Sequence, residues 1–371
     1  MNDNKDIVYE IDNIIYTLHD NFSATVIGNT LCRVVDLDIP GRITYNQVEY
    51  IVEEIGQQAF KQCKYIDYTI LPSSIKKVFS EAFMESTITY LDFTQIVELH
   101  KVQIFEKICS DCVRLKGVRL AAGIFELPDR GFYNCVRLEE INTPSGLIKI
   151  KSNCFYNCKN LKHFDFTNDI AEIDDKAFYM TSINYSEIGY RVEKLGSEVF
   201  GANDNLSTLV IFNKKIIPPA DFIPNTHRVT VYIKEKKESD RAKQIMAQLS
   251  NNHFYVVDDF NLLEKRGIKF LSFELDVARA VGYNESNLDP NTKIVETIGG
   301  SPVTDFQSGF LKYSQKITSC TFPKSIKRIK GRCFEGCKNL KQITFRHDIS
   351  QQEANWVVSE ENVEIVIAAH E

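Results

Sequence analysis

The chain has 371 residues and a net charge of −6, with 43% apolar and 25% charged residues, the make-up of an ordinary soluble globular protein. The negative balance argues against nucleic acid as the main partner, because a phosphate-binding surface needs a strong cationic field. The opening MNDNKDIVYE lacks the apolar core of a secretory signal, and no run of about 18 apolar residues occurs, so no membrane insertion is expected of this chain, and either the protein is intracellular or its export signal has been removed from this sequence.

Residues 1–51 read as a β capping unit. Ile14-Ile-Tyr-Thr-Leu18 and Ala24-Thr-Val-Ile-Gly28 are strand-like runs separated by His19-Asp-Asn, a hairpin signal. Leu37-Asp-Ile-Pro40 and Val48-Glu-Tyr-Ile-Val52 continue the pattern. From about residue 52 to 228 the chain repeats itself in about seven coils. Phe132-Tyr-Asn-Cys135-x-x-Leu138 returns as Phe155-Tyr-Asn-Cys158-x-x-Leu161, 23 residues later, and a period of that size is the signature of a solenoid. An aromatic slot is filled by Phe60, Phe83, Cys109, Phe132, Phe155, Phe178 and Phe200. A small slot three residues on is filled by Cys63, Ser86, Cys112, Cys135, Cys158, Thr181 and Asn203. Aliphatic residues follow in an L-x-x-I-x-L rhythm, as in Leu115-x-x-Val118-x-Leu120, the period of a short strand with one buried face. The third coil carries an insertion around Glu98–Glu106.

Residues 229–260 break the rhythm. Val229-Thr-Val-Tyr-Ile233 is strand-like, Ser239 is placed to cap a helix over Arg241–Leu249, and Phe254-Tyr-Val-Val257 is another strand. This strand–helix–strand unit is read as a terminator. Residues 261–371 then restart the pattern. Ala278-Arg-Ala-Val-Gly282 echoes Ala24–Gly28, Phe310 and Phe334 begin two more coils, and Val363-Glu-Ile-Val-Ile367 is a closing strand. Two abutting modules are the preferred organisation, with one continuous solenoid carrying an insertion as the alternative.

Ile55-Gly-Gln-Gln-Ala-Phe60-Lys-Gln-Cys63 and Thr321-Phe-Pro-Lys-Ser-Ile-Lys-Arg-Ile329 resemble the leucine-rich repeats of the BspA type. The resemblance covers most of the chain. It implies an α/β-poor repeat solenoid: a leucine-rich-repeat arc with a parallel β-sheet on the concave face. The convex side would be irregular or briefly helical, and the capping units β-rich. It also implies a surface or secreted protein that adheres to host or neighbouring cells, binding a cell-surface or matrix protein.

The ten cysteines follow the repeat and are therefore expected as buried free thiols. Cys109-x-x-Cys112, Cys154-x-x-x-Cys158 and Cys333-x-x-x-Cys337 have metal-like spacing, but each pair fills two core slots of its coil. A structural zinc needs four ligands. No metal, cofactor or catalytic motif is assigned. His163 and Asp165 stand two apart on one face but have no nucleophile beside them.

What remains is the outward face of the L-x-x-I-x-L strands. The candidate ligand-binding residues there are Tyr68, Tyr90, Asp92, Arg119, Glu140, Asn142, His163, Asp165, Tyr185 and Glu187. Tyrosine is enriched in binding surfaces because it offers a large contact area at low entropic cost. The expected function is a non-enzymatic protein-interaction module, an adhesin by family resemblance. The alternative is an intracellular scaffold or sensor with the same surface, located in the cytoplasm.

Overall fold

The computed structural model describes residues 7–30, 36–96, 101–166, 169–224, 227–258, 260–273, 277–285, 287–307, 309–329, 331–346 and 363–368. The chain divides into two compact units. The first comprises Met1–Ile183, Ile188–Asp204 and Lys215–His227; the second comprises Asn184–Glu187, Asn205–Lys214 and Arg228–Glu371. Each unit is built largely of short parallel strands stacked as in a β-solenoid. Among the described residues the only helix is Asp240–Gln248.

The first unit opens with an antiparallel meander. Ile7–Ile11 pairs with Ile14–Leu18, which pairs with Ser23–Asn29. The strand Ile7–Ile11 was not foreseen, although the turn that links it to the next strand is legible. Asp12 and Asn13 both take positive φ, as a tight two-residue hairpin turn demands. Val48–Ile55 then joins Ser23–Asn29 in parallel and hands the sheet on to Lys77–Val78 and Gln103–Ile104.

Most coils of the first unit contribute a rung to each of two parallel ladders. The first, assigned by the sequence to the concave side, runs in the order Asp36–Asp38, Tyr68–Ile70, Tyr90–Asp92, Gly117–Arg119 and Glu140–Ile141. The second continues through Glu126–Leu127, Lys149–Ile150, Glu172–Ile173 and Lys194–Leu195. Among the described residues no ladder joins Gln103–Ile104 to Glu126–Leu127. Pro128 explains the gap. It occupies the place from which Lys151 and Phe105 each donate an amide to the preceding coil, and proline has no amide hydrogen.

The third side of each coil is a tight turn that holds the aromatic slot. Arg130 and Asn134, Asn153 and Asn157, and Lys176 and Met180 take left-handed φ between 51° and 59°. Such backbone is costly for non-glycine residues, and inter-coil bonds hold it in place. The Phe132 amide donates to the Cys154 carbonyl at 2.9 Å, and the Asn134 amide donates to the Tyr156 carbonyl at 2.7 Å. Inside the turn the rings stack. Phe132, Phe155, Phe178 and Phe200 follow one another at 5.4, 5.2 and 5.5 Å between centroids. The small slot forms a second column: the Cys112 thiol donates to the Phe83 carbonyl and the Cys135 thiol to that of Cys109.

In the second unit Ser239 caps the helix, its side chain accepting from the Ala242 amide at 3.1 Å. The restart at 261–283 is a second antiparallel meander, built from Asn261–Lys265, Ile268–Phe273 and Val277–Tyr283. One register shifts from the sequence reading. Leu311, not Phe310, takes the aromatic slot. Its amide donates to the Cys333 carbonyl, and its own carbonyl accepts from the Cys337 thiol. Phe310 fills the small-residue position before it. The insertion at Glu98–Glu106 lies partly outside the described residues.

Candidate functional site

The first ladder concentrates its outward chemistry in one place. Tyr68, Tyr90, Asp92, Gly117, Arg119 and Glu140 line a pocket of about 350 Å³. Four consecutive rungs supply it: Tyr68 sits opposite Tyr90, Tyr90 opposite Gly117, and Gly117 opposite Glu140. Side chains on adjacent rungs of a parallel sheet lie within reach of one another, so the convergence follows from the repeat register. The two tyrosine rings stand 6.0 Å apart at a tilt of 41°. Tyr90 lies across Gly117, where an added Cβ would meet its ring carbons at 2.7 Å. The missing side chain makes the floor of the pocket.

Asp92 organises the wall. It points from an outward position yet is only 4% exposed. The Tyr68 hydroxyl donates to its Oδ2 at 2.9 Å. Its Oδ1 accepts from the Thr94 amide and hydroxyl at 2.7 and 2.6 Å. The Arg119 guanidinium stands 3.8 Å away. Burial works against the charged carboxylate, but the Thr94 bonds, the Tyr68 hydroxyl and the Arg119 charge outweigh it and hold Asp92 below the usual carboxylate range. The same hydrogen bond pushes the Tyr68 phenol upward. Arg119 remains 70% exposed along its side chain, so its fork of donors faces solvent beside two aromatic walls.

The other candidate residues fare differently. Asn142 is committed to backbone: it accepts from the Leu120 amide at 2.6 Å and donates to the Leu120 carbonyl at 3.0 Å. His163 and Asp165 sit on a stretch without strand structure, one coil past Glu140–Ile141. The outward placement expected for Tyr185 does not hold. It belongs to the second unit and is 8% exposed, packed with Val210, Phe212, Tyr232, Phe260, Leu271 and Val281. Thr208 and Val210, on the strand next to it, are fully buried as well. Glu187 is taken up by Lys269, 3.4 Å away. The residue the sequence reading left out of the site is Gly117. Its signal was visible as the one glycine in that outward column.

Nine described cysteines are buried free thiols, and Cys32 lies outside the described residues. Among the described residues, no helix is long and apolar enough to cross a membrane.

A family model described as the BspA type leucine rich repeat region matches six copies over residues 42–110, 102–222 and 293–367. A search of curated proteins finds no match. Among solved structures, a leucine-rich repeat protein from Bacteroides ovatus is similar at 17% identity. The match covers 97% of this chain and 99% of that one, with a TM-score of 0.40. A leucine rich cell surface protein from Faecalibacterium prausnitzii is similar at 14% identity over 97% and 100%, with a TM-score of 0.41. The leucine-rich repeat protein of T. pallidum is similar at 20% identity over 53% of this chain and 90% of that one, with a TM-score of 0.46.

Proposed function

Because the chain belongs to the BspA-type leucine-rich repeat family, a repeat family of protein-interaction modules, we propose that it binds a protein ligand through the pocket on its first ladder. The convergence of Tyr68, Tyr90, Asp92 and Arg119 on one glycine-floored pocket carries this reading. Tyrosine has only two side-chain torsions, so ordering the pair on binding loses little entropy. Arg119 is held near Asp92 but not saturated, and its planar fork suits a carboxylate on the partner. The ligand feature that fits is an aromatic or aliphatic side chain next to an acidic one. Catalysis is disfavoured by the same electrostatics. Asp92 is held ionised and Tyr68 protonated, whereas a general acid or base works best with a pKa near the operating pH. By family resemblance the protein acts as an adhesin-like surface or secreted protein, with a host-cell, neighbouring-cell or matrix protein as partner.

The alternative, an intracellular scaffold, is favoured by one observation, the nine buried free thiols, since reduced cysteines suit a reducing compartment. Surface-immobilised protein, probed in parallel with cell-surface and matrix proteins and with cytosolic proteins, separates the two readings. The variant Tyr68→Ala/Tyr90→Ala/Arg119→Ala tests the pocket itself. Loss of the wild-type interaction supports it; undiminished binding by the triple variant rules the pocket out.

A further inference from the structure

Gly117 has a different neighbour on each side. Tyr90 stands opposite it on the preceding rung and Glu140 on the following one. The Tyr90 ring leans across the glycine, toward the rung that carries Glu140. Arg119 lies two residues along the same strand and therefore on the same face. An apolar side chain seated on this floor has the tyrosine ring on one flank, the Glu140 carboxylate on the other and the Arg119 guanidinium beyond its end.

The charges around the pocket are unevenly matched. Its lining holds two carboxylates, Asp92 and Glu140, against one guanidinium, Arg119. Asp92 is fully engaged by the Tyr68 hydroxyl, by Thr94 and by Arg119. Glu140 is exposed, and among the described residues its side chain has no hydrogen bond and no ion pair. A ligand that closes over the pocket takes water away from Glu140 as well as from Arg119. A charged group that loses water without gaining a partner is costly. An acidic group on the ligand answers Arg119, but it leaves Glu140 unanswered and adds to the negative excess.

We propose that the partner segment seated in this pocket carries opposite charges on the two sides of its apolar side chain: an acidic residue that meets Arg119, and a lysine or arginine that meets Glu140. The cationic half is added to the pocket reading and rests on it. A neutral donor can bond to Glu140 but leaves the surplus negative charge in place, whereas a cation cancels it. Opposed charges of this kind select the partner and its orientation more than they raise affinity. A segment with acidic residues on both sides of its apolar residue places like charges together at Glu140 and is rejected.

Saturation-transfer NMR titrations of blocked tripeptides onto the full chain test this. The probes are acetyl-Glu-Phe-Lys-amide and acetyl-Lys-Phe-Glu-amide, and the tighter of the two orders is compared with the same peptide carrying glutamine in place of lysine. In the wild type, loss of the lysine is expected to weaken binding about two- to fivefold, the worth of an exposed ion pair. The variant Glu140→Gln, altered at an exposed position, should bind the lysine and glutamine peptides alike. A wild type that does not distinguish the two peptides overturns the proposal, as does a Glu140→Gln variant that keeps the preference for lysine. Tyr68→Ala/Tyr90→Ala separates this failure from that of the pocket itself. If the peptides bind the wild type equally and are lost from the tyrosine variant, the pocket stands and only the cationic half falls. If no peptide binds the wild type, or the tyrosine variant binds them undiminished, the pocket reading falls and the proposal with it.

Discussion

The thiol of Cys158 donates to the backbone carbonyl of Phe132, 3.1 Å away and one coil earlier. The small slot of each coil is thereby tied to the aromatic slot of its predecessor. Cys112, Cys135 and Cys337 repeat the relation toward Phe83, Cys109 and Leu311. Replacing Cys158 with alanine removes a buried donor and leaves a void beside the stacked rings. A loss of about 1–2 kcal/mol is expected, read as a lower urea midpoint with an unchanged slope.

These thiols are also chemically silent. Burial pushes the Cys109, Cys135 and Cys154 thiols well above their ordinary range, and the thiolate is the reactive form. The nine buried cysteines are expected to resist an alkylating reagent at pH 8 in native protein. They should react together on unfolding, as mass spectrometry of the labelled chain would show. Rapid native labelling of any of them contradicts the packing described.

The ring column supplies core energy. Phe155 has stacked neighbours on both sides and is fully buried. Phe155→Ala is expected to cost about 3–5 kcal/mol, measured by denaturant unfolding.

Two glycines separate stability from site shape. At Gly196 an added Cβ would stand 2.3 Å from the Asp175 backbone nitrogen, which cannot swing aside. Gly196→Ala is expected to destabilise by about 1–3 kcal/mol, the cost of overpacking. At Gly117 the obstacle is the ring of Tyr90, 39% exposed, which can rotate outward. Gly117→Ala should therefore leave the unfolding midpoint nearly unchanged while weakening ligand binding, measured by titration.

Glu81 carries an acid-side pH dependence. Hydrogen bonds from Lys61, then Gln58, with help from Lys107, pull its carboxyl from 4.5 down to about 2. A carboxyl with a depressed folded-state pKa stabilises the fold above its unfolded pKa. That contribution is lost as pH falls from about 4.5 to about 2. Glu81→Gln should be less stable than wild type at pH 7, and the two should converge toward pH 2. A gap that stays constant across this range would show that the ionised group is not responsible.

The repeat was legible because stacked coils must place equivalent residues in equivalent surroundings. Phe132 and Phe155, like Cys135 and Cys158, therefore declare the core by recurrence alone. The Ser239 cap was equally visible, since it depends on neighbours within one turn of chain. The pocket was partly visible. The outward column named Tyr68, Tyr90, Arg119 and Glu140 because alternation along a strand fixes which face a side chain takes. Whether such a face meets solvent is a different question, decided by segments far away in sequence. Tyr185 and Val210 obey the same alternation as Tyr90, yet strands formed by residues 268–283 close over them. Asp92 likewise points outward and is buried by Tyr68 and Thr94. The amino-acid sequence by itself determined the period, the core columns and the facing of each strand, all of which are local or repeating. Only the tertiary structure decided which outward residues stay open, because burial there depends on contacts between segments with no periodic relation to one another.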